Sequence, residues 1–290
     1  MHKSLWCGFE MEGFRFLRWV FAIGFGLVCT GQSMAASGET DEIVPVSEAL
    51  CRDMTLHHVM APNAPVGCDR LRLLRFAYVG FDRHLHQDGE IIVLDAVADH
   101  VLGAFAELRK ERFPIAKARL MNAYEGDDDA ATADDNSSAF NDRAIAGGGR
   151  TSLHSYGLAI DVNPVENPYL KRAGATLTVS PASGVRYVNR MRDRPGKMQR
   201  MGMAEDAIDV FANNGFLIWG GYWDDPIDYQ HFDVGRALAD KLVSSTPAAA
   251  HDLFARHVAS YAKCRHEKPD DSGRSACISA QTQADDSPPD

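Results

Sequence analysis

A chain of 290 residues, of which 45% are hydrophobic and 24% charged, can bury one good-sized core and falls within the normal range of globular proteins. Its formal net charge of -10 argues against a general affinity for nucleic acid or anionic lipid, because both need a basic protein surface. We therefore expect a monomer with one main domain and flanking tails, and small molecules or peptides as its partners.

The N-terminus has the features of an export signal. Arg15 and Arg18 precede the apolar run WVFAIGFGLV, which ends shortly before the small residues of SMAA. The apolar run is short for a membrane span, so we predict a signal peptide over residues 1–35, with Met11 as an alternative start. Export to the periplasm or the cell exterior follows, with no stable membrane insertion after cleavage. An uncleaved membrane anchor is the alternative.

Four cysteines remain once the signal peptide is removed, an even number in an oxidising compartment. They are Cys51, Cys68, Cys264 and Cys277. We expect two disulfides, for which three connectivities are possible, and the pairing of neighbours along the sequence would tie together each end of the domain. Zinc is the competing use of cysteine, but the sequence has no close C-x-x-C pair.

The first half of the chain predicts a strand, a helix and a second strand. Segment 94–114 repeats apolar residues at helical spacing and ends at a proline. Before it, GEIIVLDA at 89–96 is typical of a short buried strand, and AKARLMNAY at 116–124 is typical of another, with helix left open for both. These elements predict a βαβ-like opening.

Acidic and polar segments separate the remaining elements. The run EGDDDAATADDN at 125–136 has no apolar periodicity, so we predict a solvated loop, with calcium binding as the alternative. Segments 204–216 and 248–263 have the apolar spacing of helices. We divide the chain into the signal peptide, an N-terminal extension over 36–66, a main domain over 67–265 and a polar, disordered tail over 266–290.

Two short segments carry residues suited to metal chemistry. In GLAIDVNP at 157–164 the side chains alternate as in a half-buried strand, which puts Asp161 on the face opposite the large apolar residues. His154 precedes this strand by about one turn, so it can reach the same face. Taken alone the pair is a weak signal, and a purely structural role for both residues is the alternative.

The second segment, WGGYWDDPIDYQHFDV at 219–234, places His231 three residues after Asp228. A strand here would put His231 and Asp233 on one face and leave Asp228 beside a metal held by His231. Catalytic zinc has three protein ligands and one open position, and a nearby carboxylate can take a proton from water. We therefore predict Asp228 as the general base.

The residue spacing in these segments forms two motifs. The first reads S-x-H-x-x-G-x-A-x-D from Ser152 to Asp161, and the second reads D-x-x-H-F from Asp228 to Phe232. Together they resemble the VanY-type zinc D-alanyl-D-alanine carboxypeptidases, peptidase family M15, over roughly Cys68 to Val234. The resemblance implies a Zn2+ cofactor bound by His154, Asp161 and His231, with Asp228 as the general base. It also implies an α+β fold, a small antiparallel sheet flanked by helices of the Hedgehog/DD-peptidase type.

The resemblance also implies further site residues. In that family an arginine upstream of the first motif stabilises the oxyanion, a role that falls to Arg143, with Arg150 as the alternative. The surroundings of Ser152 lack the strand–turn–helix elbow of a nucleophilic serine, so we predict that it hydrogen-bonds substrate, with the loop as the alternative partner. Tyr222 and Trp223 are predicted to line the substrate cleft, with core packing as the alternative. Many relatives have glutamate where this chain has Asp228.

The function implied is an exported zinc metallopeptidase that hydrolyses peptidoglycan stem peptides, most simply a D-alanyl-D-alanine carboxypeptidase. An L-alanyl-D-glutamate endopeptidase of the same fold is the close alternative, because only the pocket would differ. A non-catalytic cell-wall or zinc-binding module is the alternative of another class, and an intact base at Asp228 argues against it. The basic run at 186–200 is predicted to be a solvated hairpin face, with contact to substrate carboxylates as the alternative.

Overall fold

Three antiparallel sheets of three strands each form the framework of the described residues, 41–145 and 150–286 of a computed structural model. The α+β class with small antiparallel sheets is therefore confirmed, although three sheets replace the single one predicted. The predicted signal peptide over 1–35 lies outside the described residues. Within the described ranges, every helix is too short or too polar to span a bilayer.

The first sheet is a hairpin with a third strand at its edge. Its strands are β1 (Glu42–Pro45), β2 (Leu71–Val79) and β3 (Leu85–Leu94), in the spatial order β1-β2-β3. Both pairings are antiparallel, and the strand predicted at 89–96 is confirmed as the second half of β3. Because β1 pairs with β2, the segment predicted as an N-terminal extension contributes a strand to the sheet. Helix α1 (Glu48–Leu56) connects these two strands.

The predicted βαβ opening is wrong, because β3 returns antiparallel to β2 before the helix begins. Segment 116–124 then forms a 3-10 helix, Met121–Tyr124, instead of the favoured strand. Before it, Lys117 makes a single bridge to Asn136. Ala118 and Met121 are buried three residues apart, a spacing that suits a helical turn better than the alternation of a strand.

Helix α2 (Ala98–Lys110) confirms the helix predicted within 94–114 and connects the first sheet to the rest of the core. Phe105 of α2 stacks on Phe76 of β2 with ring centroids 4.2 Å apart. Phe105 also meets Phe211 edge-on at 6.3 Å, and Phe211 stacks on Phe232 at 4.3 Å. Burying each such ring contributes about 1.5–3 kcal/mol. A continuous row of aromatic rings therefore supports the strand that carries Phe232.

The two other sheets contain residues of both sequence motifs. The second consists of β4 (Ala159–Asp161), β9 (His231–Asp233) and β7 (Ile218–Trp219), in the order β4-β9-β7. The third consists of β6 (Thr176–Ser180), β5 (Tyr169–Ala173) and β8 (Ile227–Asp228), in the order β6-β5-β8. Helix α4 (Ile208–Asn213) confirms the helix predicted within 204–216, and it ends at Asn214 before Gly215.

The acidic run at 125–136 is not simply a solvated loop, since it contains helix α3 (Asp128–Ala133). Asp127 caps this helix by accepting a 3.0 Å hydrogen bond from the backbone N–H of Ala130. Ala131 and Thr132 are buried, so the helix has an inner face despite its polar composition. The acidic residues of its first turn favour a helix N-terminus.

The C-terminal part is helical throughout most of its length. Helices α5 (Arg236–Ser244) and α6 (Pro247–Glu267) are followed by α7 (Asp271–Asp286), so the predicted disorder over 266–290 is wrong for the residues of α7. Cys277 of α7 is buried beside Tyr261 of α6 in a small apolar cluster, which the polar composition of the tail conceals.

Two disulfides join cysteines that are neighbours along the sequence. Cys51 bonds to Cys68, and Cys264 bonds to Cys277. This pairing is the one that ties together each end of the domain. The second disulfide attaches α7 to α6 and gives the polar C-terminal helix a fixed position.

Candidate active site

Three sequence-predicted ligands meet at one buried point. Asp161 of β4 and His231 of β9 are direct partners in the antiparallel ladder, and Asp161 Oδ1 lies 3.1 Å from His231 Nδ1. His154 Nε2 lies 3.2 Å from Asp161 Oδ2 and 3.2 Å from His231 Nδ1. All three residues are buried. Two segments 70 positions apart in the chain are thus brought together by one strand pairing.

A short 3-10 turn, Leu153–Tyr156, presents His154 to this cluster. Ser152 caps the turn by accepting a 3.3 Å hydrogen bond from the backbone N–H of His154. His154 Nδ1 donates to the carbonyl of Ala139 at 2.6 Å, which leaves Nε2 as a free acceptor in the cluster. Gly157 ends the turn with φ +66°, and a Cβ there would lie 2.6 Å from the backbone nitrogen of Leu94.

His231 is oriented by a carboxylate behind it. Its Nε2 lies 2.9 Å from Asp233 Oδ2, and Asp233 Oδ1 accepts a 2.6 Å hydrogen bond from Gly235 N. An Nε2–H directed at Asp233 leaves Nδ1 as the atom that can bind a cation. Burial favours the neutral imidazole of His231, but hydrogen bonds to Asp161 and Asp233 outweigh it and raise its pKa well above the ordinary value.

Electrostatics favour an anionic Asp161 at the centre of the cluster. Burial opposes ionisation of this carboxyl, but the neighbouring His154 and His231 outweigh burial and hold its pKa far below the usual range. A buried carboxylate between two imidazoles is a strong site for a cation. The cluster therefore has the charge that a divalent metal requires.

The donor set fits a small divalent ion such as zinc. Ligands about 2.1 Å from a tetrahedral zinc stand about 3.4 Å apart, close to the separations of 3.1 to 3.2 Å among the three donor atoms. Two imidazole nitrogens and one carboxylate oxygen form a ligand set common in catalytic zinc sites. The same donors accept other divalent ions, so the geometry favours a metal without selecting one.

Asp228 lies at the end of β8, opposite Tyr169 of β5. Burial, helped by the negative charge of Asp161, raises the pKa of Asp228 to about 7. Its Oδ1 is buried and has no hydrogen-bond partner. A Cβ on Gly220 would lie 2.5 Å from the carbonyl oxygen of Asp228, so a glycine lets the strand that holds the carboxylate approach closely. A carboxyl that titrates near neutral pH can both accept and release a proton.

Arg143 is held at its backbone by the turn that carries His154. Its N–H donates to Ser155 Oγ at 2.9 Å, and its carbonyl accepts from Ser155 Oγ at 3.0 Å and from Ser152 N at 3.1 Å. The guanidinium makes an ion pair with Asp128 of α3, Nη2 to Oδ2, at 3.0 Å. Its Nε is buried without a hydrogen-bond partner. Nη2 of Arg143 is thus engaged by the protein, whereas its buried Nε is not.

A cleft of about 830 Å³ opens over these groups. It is lined by His154 and His231 of the cluster and by residues from several other elements, among them Asp128, Arg143, Ser152, Trp223 and Asp228. The ring of Trp223 lies 5.4 Å from that of His231, centroid to centroid. Tyr222 is not among the lining residues; it packs edge-on against Trp219 at 4.9 Å and is 54% exposed.

Comparison with known protein families points to the same segment of the chain. Residues 146–234 match the family described as D-alanyl-D-alanine carboxypeptidase, of peptidase group M15. The match confirms the M15 resemblance. No curated protein and no solved structure matches the chain significantly.

The M15 segment includes both motifs and therefore the His–Asp–His cluster and Asp228. Arg143 and Asp128 precede it, so the family match does not cover them, and the structure is what places both at the cleft. Helices α5 to α7 follow it, yet Thr282 and Asp285 of α7 also line the cleft. The cleft over the cluster thus has walls that extend beyond the matched residues.

Sequence reasoning missed several groups near the M15 cluster. Asp128 and Asp129 lie in the acidic run that we predict to be solvated, and Asp233 has no assigned role in the sequence interpretation. The alternation of β9 places Asp233 on the same face as His231, which is the one signal that could have indicated its contact. The basic run at 186–200 lies outside the cleft lining, and Arg190 there pairs with Glu205.

Proposed function

We propose that this chain is an exported zinc D-alanyl-D-alanine carboxypeptidase that acts on peptidoglycan stem peptides. The observation that carries the proposal is a pair of unsatisfied buried atoms in the cleft of the His–Asp–His cluster: Asp228 Oδ1 lacks a donor and Arg143 Nε lacks an acceptor. Leaving a buried polar atom unpaired costs roughly 1–3 kcal/mol. A substrate that donates to Asp228 Oδ1 and accepts from Arg143 Nε would explain why these two atoms are unpaired in the same cleft.

The reaction uses the chain's own groups in defined roles. Zinc held by His154, Asp161 and His231 would supply a Lewis acid that polarises a carbonyl and acidifies water. Asp228 accepts a proton from the attacking water at Oδ1, as its pKa of about 7 allows. It then passes this proton to the leaving amine, so that one water is divided between a new carboxylate and a free amine.

Arg143 stabilises the negative charge that forms on the carbonyl oxygen during the reaction. Its uncommitted Nε donates to the carbonyl oxygen as negative charge develops there, in a cleft that strengthens such a contact by excluding water. Arg150 also lines the cleft and is the alternative for holding a substrate carboxylate. Ser152, Tyr222 and Trp223 remain proposed substrate contacts, of which Ser152 and Trp223 have the support of lining the cleft.

The proposal includes a Hedgehog/DD-peptidase-like fold for the catalytic region and a cleaved signal peptide over residues 1–35. Export to the periplasm or cell exterior is supported by the two disulfides, which persist in oxidising compartments. The predicted main domain over 67–265 and a monomeric state complete the proposal.

Mass spectrometry of a pentapeptide stem that ends in D-Ala-D-Ala tests the activity directly. The mature, zinc-loaded protein should remove one alanine, and a chelator or Asp228→Ala should abolish the loss. Asp224→Ala is the matched control, because this exposed aspartate lies four residues away on the same segment. An intact stem with zinc still bound would overturn the carboxypeptidase assignment and favour a non-catalytic module.

An L-alanyl-D-glutamate endopeptidase is the second candidate, favoured by the size of the cleft. A volume of about 830 Å³ lies towards the upper end of small-molecule sites and leaves room for peptide on both sides of the scissile bond. Release of a fragment cut between L-alanine and D-glutamate, from stems with or without a terminal D-alanine, would identify this activity.

A further inference from the structure

The ion pair between Arg143 and Asp128 joins the segment before the His154 turn to helix α3. Arg143 Nη2 lies 3.0 Å from Asp128 Oδ2, and both residues line the cleft beside His154 and Asp228. The partner of Arg143 is the first residue of α3, inside the acidic run. Neither residue belongs to the matched M15 segment.

Several contacts fix the backbone at the start of helix α3, where Asp128 lies. Asp127 caps the helix through Ala130 N, and the backbone N–H of Asp127 bonds to the carbonyl of Tyr124 at 2.8 Å. Gly126 has φ +70°, and a Cβ at this position would clash with the carbonyl oxygen of His58 at 2.6 Å, so only glycine fits here. The carbonyl of Gly126 accepts a 3.1 Å hydrogen bond from Asn141 Nδ2, two residues before Arg143.

Arg143 is therefore held at both ends. Ser155 and Ser152 hold its backbone, and Asp128 holds the tip of its side chain. An arginine side chain loses rotamer freedom when it is ordered, and an ion pair made before substrate arrives removes that cost from the reaction. Nε of the same guanidinium is buried and has no hydrogen-bond partner, so it can donate to a ligand.

We propose that Asp128 is a positioning residue that acts on the reaction through Arg143, by holding its guanidinium so that Nε faces an incoming oxygen. The inference rests on the proposed function for its catalytic consequence but not for its structural part. Asp128 has no contact with substrate in this scheme. Asp129, its neighbour on α3, lines the same cleft, but the ion pair to Arg143 comes from Asp128.

A double-mutant cycle tests the catalytic part with the zinc-loaded mature protein and the stem pentapeptide. Asp128→Ala should lower kcat about tenfold to a hundredfold, as expected for a misplaced catalytic contact, while Asp128→Glu should recover part of the loss. In the Arg143→Ala background the same substitution should change kcat less than twofold. Asp240→Ala, at an exposed aspartate of α5 outside the cleft lining, is the control and should leave kcat within twofold. An equal loss in both backgrounds would overturn action through Arg143.

Nuclear magnetic resonance tests the structural part without any activity. The Nε–H signal of Arg143, assigned by its loss in Arg143→Lys, should be resolved and protected in the wild type and in Asp129→Ala. In Asp128→Ala it should move to the averaged position of solvent-exposed arginines, with bound zinc and the thermal unfolding midpoint retained. An unchanged signal would overturn the proposal. A wild type that shows this coupling but cleaves no stem would instead overturn the proposed function.

Discussion

Asp161 and His231 face each other as direct partners of the β4–β9 ladder, with Oδ1 and Nδ1 3.1 Å apart. The ladder therefore does more than join two strands, because it sets the separation of two donor atoms to a value suited to one metal ion. A slip of one residue in the register would turn Asp161 or His231 to the opposite face. Strand pairing and metal binding thus depend on the same contact.

Removing His231 should abolish tight zinc binding while the fold is retained. Loss of a supporting hydrogen bond to a metal ligand costs about 10- to 100-fold in affinity, so loss of the ligand itself in His231→Ala should cost more than about 100-fold. Metal content by mass spectrometry after dialysis measures this, with His84→Ala, an exposed histidine, as control. Equal zinc in both variants would show that His231 is not a ligand.

Gly157→Ala should destabilise the turn that carries His154. Gly157 has φ +66°, and the added Cβ would lie 2.6 Å from Leu94 N, so both backbone strain and a backbone clash arise. Gly174→Ala separates the two effects, because Gly174 has φ +59° but nothing within 4 Å of the added Cβ. In urea unfolding, Gly157→Ala should lose more stability than Gly174→Ala, which should lose about 1 kcal/mol. Equal losses would mean that the contact with Leu94 relaxes freely.

The metal cluster could be predicted from the sequence because its spacing depends on strand alternation. His231 and Asp161 lie in short strands where side chains alternate, and the apolar residues next to them along each strand mark the opposite face. The helix over Ala98–Lys110 could be predicted for a similar reason, since five buried residues repeat at helical spacing. Periodicity of this kind survives in a single sequence.

Contacts between distant segments could not be predicted in this way. The acidic run lacks periodicity, and its helix depends on the Asp127 cap and on burial of Ala131 and Thr132. The pair between Asp128 and Arg143 joins positions 15 apart with no shared motif. The β2–β3 hairpin was missed because a short apolar strand does not show whether its partner is parallel or antiparallel.

Glu166→Gln should make the protein more stable at pH 8 and change little at pH 5. Burial, together with the charge of Asp135, raises the pKa of Glu166 from 4.5 to about 8. The folded state thus binds a proton that the unfolded state releases above its own pKa, so this contribution to stability is full below about 4.5 and is lost as the pH rises through 8. Glutamine mimics the protonated form at every pH.

Urea unfolding of the wild type and Glu166→Gln at several pH values measures this difference. The exposed Glu111→Gln is the control, and its free energy of unfolding should follow the wild type across the range. A Glu166→Gln variant that is less stable than the wild type at pH 8 would show that Glu166 acts as a carboxylate there.

The pH dependence of catalysis should report Asp228. Its pKa of about 7 arises first from burial, and a bound divalent cation would lower it, because a nearby positive charge favours the carboxylate. As the base must be ionised, kcat/KM should fall tenfold per pH unit on an acid limb whose midpoint lies at or below pH 7.

Asp228→Asn should lower kcat about 10²- to 10⁴-fold and remove this limb while zinc stays bound. Asp228→Glu keeps a carboxylate and is the conservative variant, which should restore the limb. A limb that persists unchanged in Asp228→Asn would assign the titration to another group and leave Asp228 without the role of base.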